Sequence, residues 1–144
     1  MTVALGCDHG GYDLKEAVKA SLEAKGIACQ DFGTFNKESC DYPVFARKAA
    51  EAVANGTCDK GIVICTTGIG VSIAANKVKG IRCALCHDVT TARLCREHND
   101  ANVLAIGEGV VGRIAAMDIV DTFLITPFSE GVRHARRIAE IEAE

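Results

Sequence analysis

The segment richest in possible chemistry is Cys65-Thr66-Thr67-Gly68-Ile69-Gly70. It closes the most apolar run of the chain, Gly61 to Cys65, and leads into a helical pattern. Glycines at 68 and 70 permit a tight turn and close backbone approach to a ligand. The amides of such a turn, with the start of the next helix, suit an anion. A thiol placed in that field is favoured as thiolate. One short segment therefore offers a base together with donors for a developing negative charge. A glycine turn that merely joins a strand to its helix would read the same way.

Three further groups could take part. Asp8-His9, followed by Gly10-Gly11, ends the first apolar run. A carboxylate beside an imidazole there suits acid–base work or hydroxyl binding, although Asp8 could equally cap the following helix. His98-Asn99-Asp100 sits in a polar loop just before the fifth apolar run. Arg133 and Arg137 are four residues apart, so on a helix they share a face and match a phosphate with paired donors. A solvated helix would look the same. Gly107-Glu108-Gly109-Val110-Val111-Gly112 has dinucleotide-loop spacing, but only helices follow it, which argues against NAD or FAD.

Positioning these groups requires strands that end at Cys7, Phe32, Cys65, Leu85 and Ile106. Helical patterns lie between them, over about 12–25, 43–54, 70–77 and 89–97. Two more close the chain, near 111–123 and 129–142. Strands apolar throughout and joined by helices imply a parallel sheet covered on both faces. The expected fold is a Rossmann-like three-layer αβα sandwich with a five-stranded parallel sheet, formed as one domain over residues 1–144. Ligands of such sheets bind beyond the carboxyl ends of the strands.

Composition narrows the class. The chain has 144 residues, 49% hydrophobic and 24% charged, as globular domains do. A net charge of -3 argues against a nucleic-acid partner. No apolar run is long enough for a membrane span, and the N-terminus does not read as a secretory signal. The eight cysteines are then expected to be reduced thiols in the cytoplasm. Of these, Cys7, Cys29, Cys65 and Cys83 fall in apolar runs and should be core. Cys83 and Cys86 have the spacing of half a zinc site without a second half, so no metal is expected.

Together, Gly6-Cys7-Asp8-His9-Gly10-Gly11, Asp41-Tyr42-Pro43, Cys65 to Gly70, Ile73 to Lys77, His98-Asn99-Asp100 and Glu130 to His134 resemble the ribose-5-phosphate isomerase B family. That family includes galactose-6-phosphate and allose-6-phosphate isomerases. The resemblance implies aldose–ketose isomerisation of ribose 5-phosphate through a cis-enediolate, with no metal or cofactor. It implies Cys65 as the base, Thr67 and the amides of Gly68, Ile69 and Gly70 around the enediolate, and Thr66 beside them. His98 would open the furanose ring with help from Asp8. Asn99 would bind a hydroxyl, and His9, Arg133 and Arg137 the phosphate. A second branch of the family uses a glutamate where Val71 stands here, so the chain resembles the cysteine branch. A homodimer or homotetramer with its active site at the subunit interface is implied too.

One departure is notable. The family commonly has an arginine where Gly109 stands, and Arg113 lies on the following helix. A looser pocket would accept six-carbon sugar phosphates. Rival readings are a galactose-6-phosphate isomerase subunit that needs a different partner chain, and a sugar-phosphate-binding module without turnover. A receiver-type signalling domain would need an aspartate where Cys65 stands.

Overall fold

A computed structural model describes residues 1–143. Its sheet contains β1 (Thr2–Cys7), β2 (Ala28–Asp31), β3 (Lys60–Cys65), β4 (Cys83–Leu85) and β5 (Val103–Gly107). All pairs are parallel, in the order β2-β1-β3-β5-β4. The helices are α1 (Tyr12–Ala24), α2 (Tyr42–Ala54), α3 (Ile69–Ala75), α4 (Val89–Asn99), α5 (Arg113–Ile125) and α6 (Val132–Glu142). The three-layer α/β sandwich expected from the sequence is the fold adopted. No helix among the described residues is long and apolar enough to cross a membrane.

Alternation along each strand builds two unlike cores. Val3, Leu5, Ile62, Ile64, Leu104 and Ile106 face α1, α4 and α5, where Leu14, Val18, Ile119 and Phe123 meet them. Ala4, Val63, Cys65 and Ala105 face α2 and α3, which answer with Ala46, Ala49, Ala50, Val71 and Ala75. The second face is made of small side chains, so its helices sit close. A Cβ on Gly6 would lie 2.6 Å from the Phe45 carbonyl oxygen. Cys65 belongs to this closely packed face.

Several boundaries differ from the sequence expectation. β4 begins at Cys83 because Ile81 and Arg82 are bonded off-strand, Ile81 N–H to Val78 O and Arg82 N–H to Asn102 Oδ1 (2.8 Å). The Asn76 side chain bonds both the N–H and the C=O of Cys83, closing the exposed edge. α4 runs two residues longer than expected, to Asn99, and ends on Asp100 in the left-handed region (φ 44°). His98 and Asn99 are thus the last turn of a helix and not a loop. α6 starts three residues late because Ser129 is held by the Glu97 carbonyl (2.6 Å). Among the cysteines expected in the core, Cys7 and Cys65 are buried, but Cys29 and Cys83 are only half-buried; Cys58, Cys86 and Cys95 are buried instead.

Lys15 is completely buried, on a face where helical periodicity gives no reason for a charge. Its Nζ donates to Asp31 Oδ2 (2.8 Å) and the Thr34 carbonyl (2.7 Å), between the rings of Tyr12 and Phe35. Burial opposes the charge, but the bonds to Asp31 and Glu16 outweigh it and raise the ammonium above its ordinary value. Removing one member of such a pair strands the other. Lys15→Ala is expected to lower unfolding free energy by about 3–5 kcal/mol in urea titration, whereas Lys19→Ala, at 3.5 Å from the same carboxylate and part-exposed, should cost under about 1 kcal/mol.

Candidate active site

The chain leaves β1 toward one edge of the sheet and β3 toward the other, which opens a crevice above their carboxyl ends. Cys65 is the last residue of β3 and is 6% exposed. Its Sγ accepts the Gly68 N–H at 3.2 Å, so negative charge on the sulfur has a donor aimed at it. Gly68 turns at φ 78°, and a Cβ there would strike the backbone of Ile106 and Gly107 at under 3 Å. The turn therefore depends on glycine. Thr67 Oγ1 accepts the Ile69 N–H (3.2 Å), which leaves its proton free to point outward from an exposed residue. Two of the turn amides are thus engaged inside the turn, at Sγ and at Thr67. Val71 is buried in the first turn of α3, away from solvent.

Asp8 and His9 stand beside this turn. Asp8 is 6% exposed and its Oδ1 accepts from the amides of Gly10 (2.9 Å) and Gly11 (3.2 Å), capping a 3-10 turn. The capping role and the placement at the strand end coexist. A Cβ on Gly10 would fall 2.2 Å from Thr66 Oγ1, so the two loops touch only because that side chain is missing. Exposed His9 receives the Cys40 N–H on Nδ1 (3.2 Å), which puts the proton of the neutral ring on Nε2, away from the contact. Thr66 also takes the Gly109 N–H on its carbonyl (2.9 Å). A Cβ at Gly109 would sit 3.0 Å from Thr66 Cγ2, so a side chain here presses directly on the loop.

The remaining residues are elsewhere. Asn99 precedes β5, whose first residue Val103 pairs with Gly61 and whose last, Gly107, pairs with Cys65. The length of β5, roughly 13 Å at strand rise, separates the two ends. His98, on the same helix turn, stacks on His134 of α6, which carries Arg133 and Arg137. One chain therefore gathers Asp8, His9, Thr66, Thr67, Gly68, Ile69 and Gly70 around Cys65. It leaves His98, Asn99, Arg133 and Arg137 together at the opposite end of the sheet. Arg96 secures that second group. Buried at 6% exposure, it donates to Asp100 Oδ1 and the Ala101 carbonyl at 2.7 Å, and to the Thr126 carbonyl at 3.0 Å.

Sequence reasoning missed the Cys40 amide, Arg96, His134 and Tyr42. The Tyr42 ring packs so closely on Gly70 that a Cβ there would lie 2.4 Å away. The Asp41-Tyr42-Pro43 motif was the available signal for Tyr42; a backbone amide leaves none. A cavity of about 660 Å³ is set apart from Cys65. It lies at the β4 edge, and Asn99 is the one candidate site residue that lines it. Burial pushes the Cys7 thiol up to about 12 and that of Cys29 to about 11, which keeps both protonated near neutrality. The 107–112 glycine pattern joins β5 to α5, with no further strand after it among the described residues.

Comparison with known proteins identifies the family. A family model described as Ribose/Galactose Isomerase matches residues 3–141. Ribose-5-phosphate isomerase B of Escherichia coli (strain K12) is 48% identical over 98% of this chain and 94% of its own length. The solved ribose-5-phosphate isomerase B of Clostridium thermocellum superposes with a TM-score of 0.97 at 56% identity, covering 99% of this chain and 95% of that one. The Mycoplasma genitalium enzyme, solved with bound ribulose-5-phosphate, gives 0.94 at 40% identity over 98% and 93% of the two chains. Matched across nearly its whole length in sequence and in fold, the chain belongs to the ribose/galactose isomerase family.

Proposed function

We propose that this chain interconverts ribose 5-phosphate and ribulose 5-phosphate through a cis-enediolate, without metal or cofactor. The observation that carries the reading is Cys65 at the crevice, with the Gly68 N–H on its sulfur and the hydroxyls of Thr66 and Thr67 beside it. In the open-chain aldose the Cys65 thiolate takes the C2 proton. The C–H pair forms the C1–C2 double bond and the carbonyl pair moves to O1. Return of the proton to C1, with passage of the O2 proton to O1, gives the ketose. Thr67 and the turn around Gly70 face the developing oxyanion. His9, through Nε2–H, takes the phosphate.

Ribose 5-phosphate is mostly a furanose, so an acid must come first. His98 gives its proton to the ring oxygen as the C1–O bond breaks, and the anomeric hydroxyl passes its proton to the Asp8 carboxylate as O1 becomes the carbonyl. Asp8 Oδ1 is taken by two amides, which leaves Oδ2 for a ring hydroxyl. Because His98 and Asn99 lie at the far end of their own sheet, the acid comes from a second copy of the chain. The assembly is a homodimer, alone or paired into a tetramer, with each site shared. Two features support this. α6 buries none of its residues, and Val132 is 83% exposed; an 11-residue helix is marginal on its own. Ile69 and Ile73 on α3 are 52% and 57% exposed beside the site. Eight free thiols fit a reducing, cytoplasmic setting.

Gly109 favours a second reading within the family. With no side chain there, the pocket has room for a six-carbon sugar phosphate, and comparable kcat/KM for ribose 5-phosphate and allose 6-phosphate would support it. A several-hundredfold preference for the pentose would remove it.

Two experiments test the main reading. Conversion of ribose 5-phosphate should persist in a chelator and fall at least 10²-fold in Cys65→Ala; undiminished turnover in the variant would refute the base assignment. Mixing Cys65→Ala chains with His98→Ala chains under conditions that allow subunit exchange should restore about a quarter of native activity, since about half the dimers are mixed and each then holds one intact site. No gain on mixing would mean that both groups act within one chain.

A further inference from the structure

His98 and His134 lie face to face, with ring centroids 4.4 Å apart and planes 13° from parallel. The rings come from different helices, and their contact is held from both sides. Ser129 bonds the Glu97 carbonyl through its N–H (3.3 Å) and its hydroxyl (2.6 Å), which docks the start of α6 on the end of α4. Near the other end of α6, Glu142 pairs with Arg82 Nη1 at 2.8 Å, and Arg82 Nε also donates to the Asn99 carbonyl at 2.9 Å. Gly131 closes one side of the His134 ring; a Cβ there would lie 3.0 Å from Cδ2. His134 is thus fixed by a frame, while His98, exposed at a helix end, is fixed mainly by the ring against it.

We propose that His134 is a positioning residue for ring opening: its imidazole, stacked on His98, sets the plane of the acid and hence the direction in which the proton is delivered. The inference rests on the role given to His98 above. A lone exposed histidine rotates about two side-chain bonds, and an acid must point at the ring oxygen to act. The charges facing His134 also divide the labour. His98 stands opposite on α4, and Arg133 and Arg137 lie on its own helix. Desolvation first, then these three groups, depress its proton affinity. Two stacked imidazoles do not both carry a proton at low cost, so His134 serves as the neutral platform against which the His98 ring is oriented.

The substrate pair offers a test that separates this role from general damage. In ribulose 5-phosphate O5 is esterified, so no five-membered ring can close on C2 and the ketose is open-chain. Exchange of its C1 hydrogen with solvent deuterium needs Cys65 but no ring opening. His134→Ala is expected to keep that exchange within about twofold while conversion of ribose 5-phosphate falls about tenfold to a hundredfold. His134→Phe, which keeps a stacking ring without a proton, should recover most of the loss. Equal loss of exchange and conversion in the alanine variant, unchanged conversion, or a phenylalanine variant as slow as alanine would each overturn the proposal. If the unaltered chain exchanged no deuterium, the isomerase reading itself would fall, and the stack's role with it.

Discussion

A parallel sheet forces the chain to travel back between strands, and that return governs everything else in this molecule. Whatever follows a strand gathers at one end of the sheet, and whatever precedes a strand gathers at the other. Cys65, Asp8 and His9 follow β3 and β1; His98 and Asn99 precede β5. No adjustment of side chains brings the two ends of β5 together. Separation of these residues between two poles is therefore a property of the topology. On the proposed function, a second copy of the chain supplies the missing half. Arg96 belongs to the same logic. By tying the end of α4 to the Thr126 carbonyl after α5, it joins the lower pole into one unit.

At the upper pole the precision comes from missing atoms. The loops after β1, β3 and β5 approach one another at Gly10, Gly68 and Gly109, and Thr66 is the residue that Gly10 and Gly109 both touch. Backbone amides do the fixing: Gly68 onto the sulfur, Gly10 and Gly11 onto Asp8, Cys40 onto His9. In each of these contacts the donor is backbone, so only the accepting side chain has a rotamer to fix. Cys65 is held by the sheet itself, whereas His98, on a helix terminus, depends on its neighbours for orientation.

The sequence made the strands, their order along the chain and the upper pole legible, because apolar runs ending in glycine turns carry strong local signals. Cys65, Asp8 and the 66–70 turn stand where the pattern placed them. His98 was harder to place. His98-Asn99-Asp100 is polar throughout and reads as a loop, yet the Asp100 cap and the Arg96–Asp100 pair carry the helix through Asn99. Lys15 was invisible for a similar reason: the partner that draws it inside, Asp31, is set by strand pairing and not by spacing along α1. Whether Asp8 capped a helix or served the crevice could not be decided from spacing, since the same carboxylate does the first and stands at the second.

The contrast between the two faces of the sheet reaches into how such a chain can change over generations. Where Ala4 and Ala105 meet Ala46 and Ala49 of α2, an extra methylene has little room, so exchange there is confined to the smallest residues. On the other face Leu, Ile, Val and Phe can trade volume with one another at modest cost. The layer behind Cys65 is thus the slow clock of the molecule and the layer behind α1, α4 and α5 the fast one, whatever sugar the lineage comes to use.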